Sequence, residues 1–213
     1  MNTDRSLWQK QLSAGLQRMT ITLSEQQQCL LVDFLSLLTK WNQAYNLTAI
    51  RDVNEMVSRQ LLDSLSIVHL LEGRRILDVG TGPGLPGIPL AVARPECQFT
   101  LIDSNGKKTR FVQQAITTLG LKNVVVLQTR VEVYQTTDKF DTITSRAFAA
   151  LPRIVQLTQH LLAENGQLLA MKGTIPRDEM AELEVSGYQI VVDPLMVPDS
   201  DGERHALRVR SAT

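Results

Sequence analysis

Two hydrophobic rhythms divide this chain near residue 73. Upstream, apolar residues recur at helical spacing. Leu7 to Met19 is weakly amphipathic, and Leu30, Leu31, Phe34, Leu37, Leu38 and Trp41 follow the capping-box pattern of Ser24 and Gln27. The polar stretch N-Q-A-Y-N-L-T-A-I-R-D then interrupts the period, and Asn54 can cap a third helix running to about Leu71. Downstream, short apolar runs alternate with helical segments. Strands are predicted at 75–79, 97–103, 123–128, 140–145, 166–172, 188–193 and 205–210. Helices are predicted at 87–94, 106–119, 150–163 and 175–186. Continuously apolar strands alternating with helices make an α/β fold with a mostly parallel sheet, covered on both faces. The Pro/Asp/Gly loop between the last two strands contains no helix, so those two should pair antiparallel at one edge. The expected organisation is a helical extension over 1–72 and a core over 73–213, packed as one compact unit.

The junction carries the chemistry. R-R-I-L-D-V-G-T-G-P-G-L-P-G, from Arg74 to Gly87, reads as a buried strand, a glycine-rich turn and a helix N-terminus. That order makes a nucleotide-type cradle at the carboxyl edge of a parallel sheet. Gly82-x-Gly84-x-x-Gly87, with Asp103 downstream, fits the dinucleotide fingerprint. Read from Asp78, the same stretch is D-x-G-x-G-x-G, with a carboxylate at the strand tip. A fixed negative charge there repels a pyrophosphate and attracts an ammonium or a sulfonium. Pro83 and Pro86 also remove backbone N–H donors that a pyrophosphate would use. S-Adenosylmethionine carries both cations and no phosphate, so the stretch reads as a methyl-donor site. Asp78 and Gly80 would hold the methionine end, though Asp78 could instead be a capping or turn aspartate. Asp103 can take both ribose hydroxyls or cap the helix beginning near Asn105, or do both. Leu85 would pack on the donor or simply fill the core.

Composition narrows the setting. The chain has 213 residues, 43% of them hydrophobic, which suits one globular unit with a well-filled core. No apolar run approaches bilayer-spanning length, and the polar start M-N-T-D-R-S does not resemble a signal peptide. Cys29 and Cys97 make no disulfide framework, so a cytoplasmic location is expected. Three scattered histidines (His69, His160 and His205) and these two cysteines predict no metal site. Formal net charge is zero, so any RNA contact has to come from a local basic patch. Lys107, Lys108 and Arg110 are one candidate, or a solvated helix face.

D-V-G-T-G-P-G-L-P-G-I-P-L, together with W-N-Q-A-Y-N-L-T upstream and I-T-S-R-A-F and D-G-E-R-H downstream, resembles a known family in order from about Trp41 to His205. It is that of the bacterial small-subunit (16S) ribosomal RNA guanine-N7 methyltransferases, also called glucose-inhibited division protein B. The resemblance implies a Rossmann-like class I S-adenosylmethionine-dependent methyltransferase fold with a seven-stranded sheet. It further implies S-adenosyl-L-methionine as donor, no metal, and 16S rRNA or the small ribosomal subunit as partner. A monomer with no membrane contact is expected.

The resemblance also bears on individual residues. It places adenine contacts at Val131 and Glu132, where composition alone makes Glu132 an exposed surface charge. It places Arg146 at the donor site. Chemically that arginine could hold the donor carboxylate or the guanine edge, or form a strand-end salt bridge. Lys172 is a phosphate or base contact, or an edge charge. Asn46, Arg59, Asp63, Arg204 and His205 recur in the family motifs and would line the acceptor side, with His205 slightly favoured as a satisfied strand histidine. R-Q-L-L-D-S departs from the family's usual R-H-x-x-D-S, and Gln60 cannot titrate. The chain lacks the Asn/Asp-Pro-Pro-aromatic motif of exocyclic-amine enzymes, and neither cysteine lies near this edge as a nucleophile. Acceptors that are already nucleophilic remain. Guanine N7 is one of them, and the resemblance selects it. Two rival readings are a nicotinamide-dependent oxidoreductase and a non-catalytic rRNA-binding or assembly protein.

Overall fold

The computed structural model describes residues 2–212. Seven strands form one sheet in the order β3-β2-β1-β4-β5-β7-β6. They are β1 Arg75–Val79, β2 Gln98–Asp103, β3 Val124–Gln128, β4 Phe140–Arg146, β5 Leu162–Lys172, β6 Tyr188–Pro194 and β7 His205–Ser211. The first five run parallel to one another, and β7 is antiparallel to both β5 and β6. Strand order reverses between β1 and β4, successive strands being added on one side of β1 and then on the other, so a crevice opens beyond their carboxyl ends.

Each face of the sheet carries its own hydrophobic cluster, and the alternation of β1 sorts residues between them. Ile76 enters one cluster, while Leu77 and Val79 enter the other. The first face is covered by α1 Asn2–Arg18, α2 Glu25–Tyr45, α3 Val53–Met56, α4 Asp63–Leu65, α5 Gly87–Ala93 and α6 Gly106–Leu119. Trp8, Leu12, Phe34 and Leu61 share one continuous core there with Ile88, Phe99 and Phe111. The rings of Phe34 and Trp41 approach Phe111 at centroid distances of 6.1 and 5.6 Å. The opposite face is covered by α7 Leu151–Thr158 and α8 Arg177–Val185.

Three expectations about elements need correction. The third helix is capped by Asp52, whose carboxylate accepts the Asn54 N–H at 2.9 Å, and not by Asn54. It continues through a π-helical stretch, Val57–Leu62, into α4 and stops at Leu65, because Ile67 leaves helical geometry. The helix predicted over 150–163 ends at Thr158, with a 3₁₀ turn over Gln159–Leu161. Strand β5 therefore begins at Leu162, four residues before the predicted start at 166. Its A-E-N-G stretch forms an irregularity in the β4–β5 register. A Cβ on Gly166 would lie 2.8 Å from the Phe140 carbonyl, so this bulge needs glycine.

Candidate active site

Every N–H of the turn after β1 finds a partner within the protein. Gly80 and Thr81 donate to the Ile102 carbonyl, Gly84 and Leu85 to that of Thr81, and Ile88 to that of Gly84. The two remaining N–H groups, of Gly82 and Gly87, donate to the carboxylates of Asp103 and Asp78. Pro83 and Pro86 have none to give. Gly80, Gly82 and Gly84 all have positive φ, which glycine alone adopts without strain.

Asp78 is the buried post of this turn. Its side chain is 1% exposed and accepts from Thr81 Oγ1 at 2.6 Å, Thr144 Oγ1 at 2.9 Å and Gly87 N at 3.1 Å. Burial raises its pKa to about 6, against the opposing pull of those hydrogen bonds and of Arg146. The carboxylate thus lies behind the turn on the α5 side. The expectation of direct contact with the donor's cationic end gives way to the capping alternative. Leu85 likewise sits in the core, and Gly82 and Gly84 shape the turn with positive φ.

A cavity of about 320 Å³ runs along the carboxyl ends of β3, β2, β1 and β4. Thr129, Arg130, Val131 and Glu132 line it beyond β3, Asp103 and Ser104 beyond β2, Gly80 beyond β1, and Ala147 and Phe148 beyond β4. Asp103 is fixed from two sides, accepting from Gly82 N at 2.9 Å and Asn105 N at 2.8 Å. Asn105, not Asp103, caps α6, accepting from Lys107 N and Lys108 N. Each Asp103 oxygen keeps lone-pair capacity toward the cavity. Val131 is buried, whereas Glu132 is exposed and stands 4.0 Å from Arg153.

The residues expected on the acceptor side fall into separate groups. Arg146 turns toward the helical layer: its Nη1 donates to Asp63 at 2.9 Å and its Nη2 to Gln60 at 3.5 Å. Arg204 Nε reaches the other Asp63 oxygen at 3.3 Å, so one buried carboxylate gathers two arginines. Gln60 is itself buried and donates to Thr48 Oγ1. Asn46 is the left-handed C-cap of α2 and is exposed, accepting from Arg51. Arg59 pairs with Glu55. Lys172 lies on the opposite face, donating to the Ala149 carbonyl at 3.0 Å. His205 is a buried strand histidine, its Nδ1 2.9 Å from the Gly173 carbonyl.

Sequence reading missed Phe148, Ala147, Ser104, Thr129 and Arg130 as cavity residues. The S-R-A-F motif held the signal for the first two, since it directly follows a strand that ends at the crevice. Among the described residues, no group of three or more His, Cys, Asp or Glu side chains is placed to hold a metal. None of their helices is long and apolar enough to cross a membrane.

A family model described as rRNA small subunit methyltransferase G (GidB) matches residues 27–207. A protein named ribosomal RNA small subunit methyltransferase G from Chromobacterium violaceum is 53% identical over 200 residues, covering 93% of this chain and 96% of its own length. One of the same name from Marinobacter nauticus is 54% identical over 206 residues, covering 96% of each. Solved structures share the fold. A SAM-dependent methyltransferase from Aquifex aeolicus superposes with a TM-score of 0.58 at 18% identity, over 77% of this chain and 96% of its own. One from Geobacter sulfurreducens, in complex with S-adenosyl-L-homocysteine, gives 0.57 at 15% identity, over 83% and 98%. With a seven-stranded methyltransferase sheet and matching relatives over nearly its whole length, the chain belongs to the rRNA small subunit methyltransferase G (GidB) family.

Proposed function

We propose that this protein transfers a methyl group from S-adenosylmethionine to N7 of a guanine in 16S ribosomal RNA, acting as a cytoplasmic monomer. One observation carries the choice of ligand: every N–H of the turn from Gly80 to Ile88 is spent within the protein. A dinucleotide's pyrophosphate needs such donors free, whereas a nucleoside joined to an amino acid does not. The residues present fit the donor. Asp103 offers a carboxylate to a ribose diol and Val131 an apolar wall to an adenine, with Gly80 lining the same cavity between β2 and β4.

When bound, the donor supplies an electrophilic methyl on a sulfonium. The protein's own contribution is to position and to shield. The turn is fixed by seven internal donations, so its shape is set before any ligand arrives. Guanine N7 carries an in-plane lone pair and no proton, so no side chain has to act as a base. Arg146 and Arg204, gathered at Asp63, bring positive charge beside the acceptor strand end, where a guanine O6 or a phosphate could accept from them. N7 lies in the deep groove of A-form RNA, so the target guanine belongs to an irregular or open region.

The test uses small ribosomal subunits and protein-free 16S RNA from a strain lacking the family enzyme, incubated with donor labelled in the methyl group. Labelled 7-methylguanosine in the RNA digest is the expected result. Absence of label from both RNAs would favour a pure binder, and saturable NADH binding in its place would favour the oxidoreductase.

A further inference from the structure

We propose that Phe148 is the aromatic face against which the acceptor guanine lies, stabilising the positive charge that base gains on methylation. The inference rests on the reaction proposed above and assigns a residue to its acceptor side.

The cavity follows the sheet order, with its ribose-type carboxylate, Asp103, at the end of β2 and Phe148 just beyond β4, on the far side of Gly80. The ring lies directly on Gly80: a Cβ there would come within 2.5 Å of Phe148 Cδ2. The ring is 38% exposed, whereas Phe34, Phe99, Phe111 and Phe140 are all buried, so it is not held there by core packing. Its direction is set by Ala147, which adopts a φ of +52°, a conformation that non-glycine residues take at some energetic cost. The charged residues ending β4 and the adjacent β5 already have partners, Arg146 with Asp63 and Lys172 with Ala149 and Glu179. Among the described residues, a cation stands over the ring of Phe140 but none over that of Phe148. The strand end therefore presents a part-exposed aromatic ring at the cavity wall.

The chemistry gives that face a purpose. The N7 lone pair forms the new bond to the methyl carbon while the pair of the S–CH₃ bond remains on sulfur. The sulfonium becomes a neutral thioether, the neutral guanine becomes a cation, and no proton moves. An aromatic face attracts a cation more strongly than a neutral base, so the contact tightens as transfer proceeds. An interaction stronger in the transition state than in the ground state raises the rate itself. Stacking also holds an unpaired base without selecting its sequence.

The experiment replaces Phe148 by Leu, by Trp and by a series of progressively fluorinated phenylalanines, whose size changes little while the ring face loses its negative character. Single-turnover transfer to small subunits is measured at saturating donor, alongside equilibrium binding of S-adenosylhomocysteine and the KM for S-adenosylmethionine. F148L is expected to slow transfer by about ten- to thirty-fold, the worth of a cation–π contact in a desolvated site. F148W should stay within about threefold of wild type, with its ring retained. The fluorinated series should slow stepwise while analogue binding and donor KM hold constant. A flat series, or F148L near wild type, would reduce the ring to a spacer and overturn the proposal. A donor KM that climbs with fluorination at constant rate would place the ring on the sulfonium and overturn it equally. If wild type labels no guanine, both readings fall; if it labels guanine and the series is flat, this one alone does.

Discussion

Asp78 shows how one carboxylate can organise a site without entering it. Its three donors come from the turn, from α5 and from β4, so it joins the elements that frame the cavity. Burial raises its pKa from 3.8 to about 6, so the folded state binds this proton more tightly than the unfolded chain. Asp78 therefore adds stability as pH falls through about 6 toward 3.8, and that contribution is lost as pH rises through the same window. The size is about 3 kcal/mol. Asp78→Asn can keep the network, with its oxygen accepting from Thr81 and Gly87 and its amide donating to Thr144. Urea midpoints for wild type and D78N between pH 7.5 and 4 should thus diverge in favour of wild type on acidification. A constant difference would mean a hydrated carboxylate. The motif made Asp78 legible, but not its orientation. A strand buried on both faces shows which residues share a face and not which face meets the ligand. Asp63 poses the matching question at the acceptor side. It is buried, and Arg146 and Arg204 are each about one quarter exposed, at 22% and 27% of their side chains. Water can repair part of a broken pair, so Asp63→Asn should cost about 1–3 kcal/mol by urea denaturation, less than a fully buried pair. Arg146→Ala should lower methyl transfer at least about tenfold, the worth of one charge-assisted contact. Near-normal activity would leave Arg146 as a strut for Asp63.

Among the elements, α5 begins hard against the sheet. Gly87 begins it, and a Cβ there would lie 2.8 Å from both Asp78 Oδ2 and Leu101 Cγ. Neither neighbour can retreat easily, because Asp78 is tied on three sides and Leu101 belongs to a central strand. Gly87→Ala should therefore destabilise the fold by about 1–3 kcal/mol, read as a lowered urea midpoint at unchanged m-value. A midpoint equal to wild type would mean that α5 can slide. This close approach explains the third glycine of the dinucleotide-like spacing: helix–strand packing requires it whichever ligand is bound. Elements whose signals are local were readable, as in α2, where Ser24 and Gln27 do form the reciprocal capping box. Elements set by tertiary context were not. The π-helical stretch before Asp63 has ordinary helical composition, and π geometry leaves no mark in hydrophobic period. It carries Arg59 and Gln60 and ends against Asp63, with Gln60 facing Arg146 from the end of β4. The early start of β5 was hidden for the opposite reason, since Leu162 pairs with Phe140 only because the polar residues after it bulge out of the β4–β5 register.

At the scale of the whole molecule, charge is balanced overall and uneven locally. Formal net charge is zero, so the protein's summed field does little to draw it toward a polyanion. Yet exposed Arg130 and the partly buried Lys108 line the cavity, and exposed Lys107 stands beside them at the start of α6. The N-terminus of α6 adds the positive end of its dipole there, its first N–H groups capped by Asn105. RNA binding by such a protein should rest on a small number of phosphate contacts around the cavity. The slope of log affinity against log salt should then be shallow for a protein that handles ribosomal RNA. Each lysine that meets a phosphate contributes roughly 0.7–0.9 to that slope. Lys107→Ala with Lys108→Ala should therefore weaken binding to small subunits and flatten the slope by roughly 1–2, leaving S-adenosylhomocysteine binding unchanged. Titrations from low to moderate salt decide it. A parallel line at lower affinity would show that these lysines shape the protein and never touch the backbone. An unchanged line would move the RNA path away from α6, toward Asp63, where Arg146 and Arg204 converge.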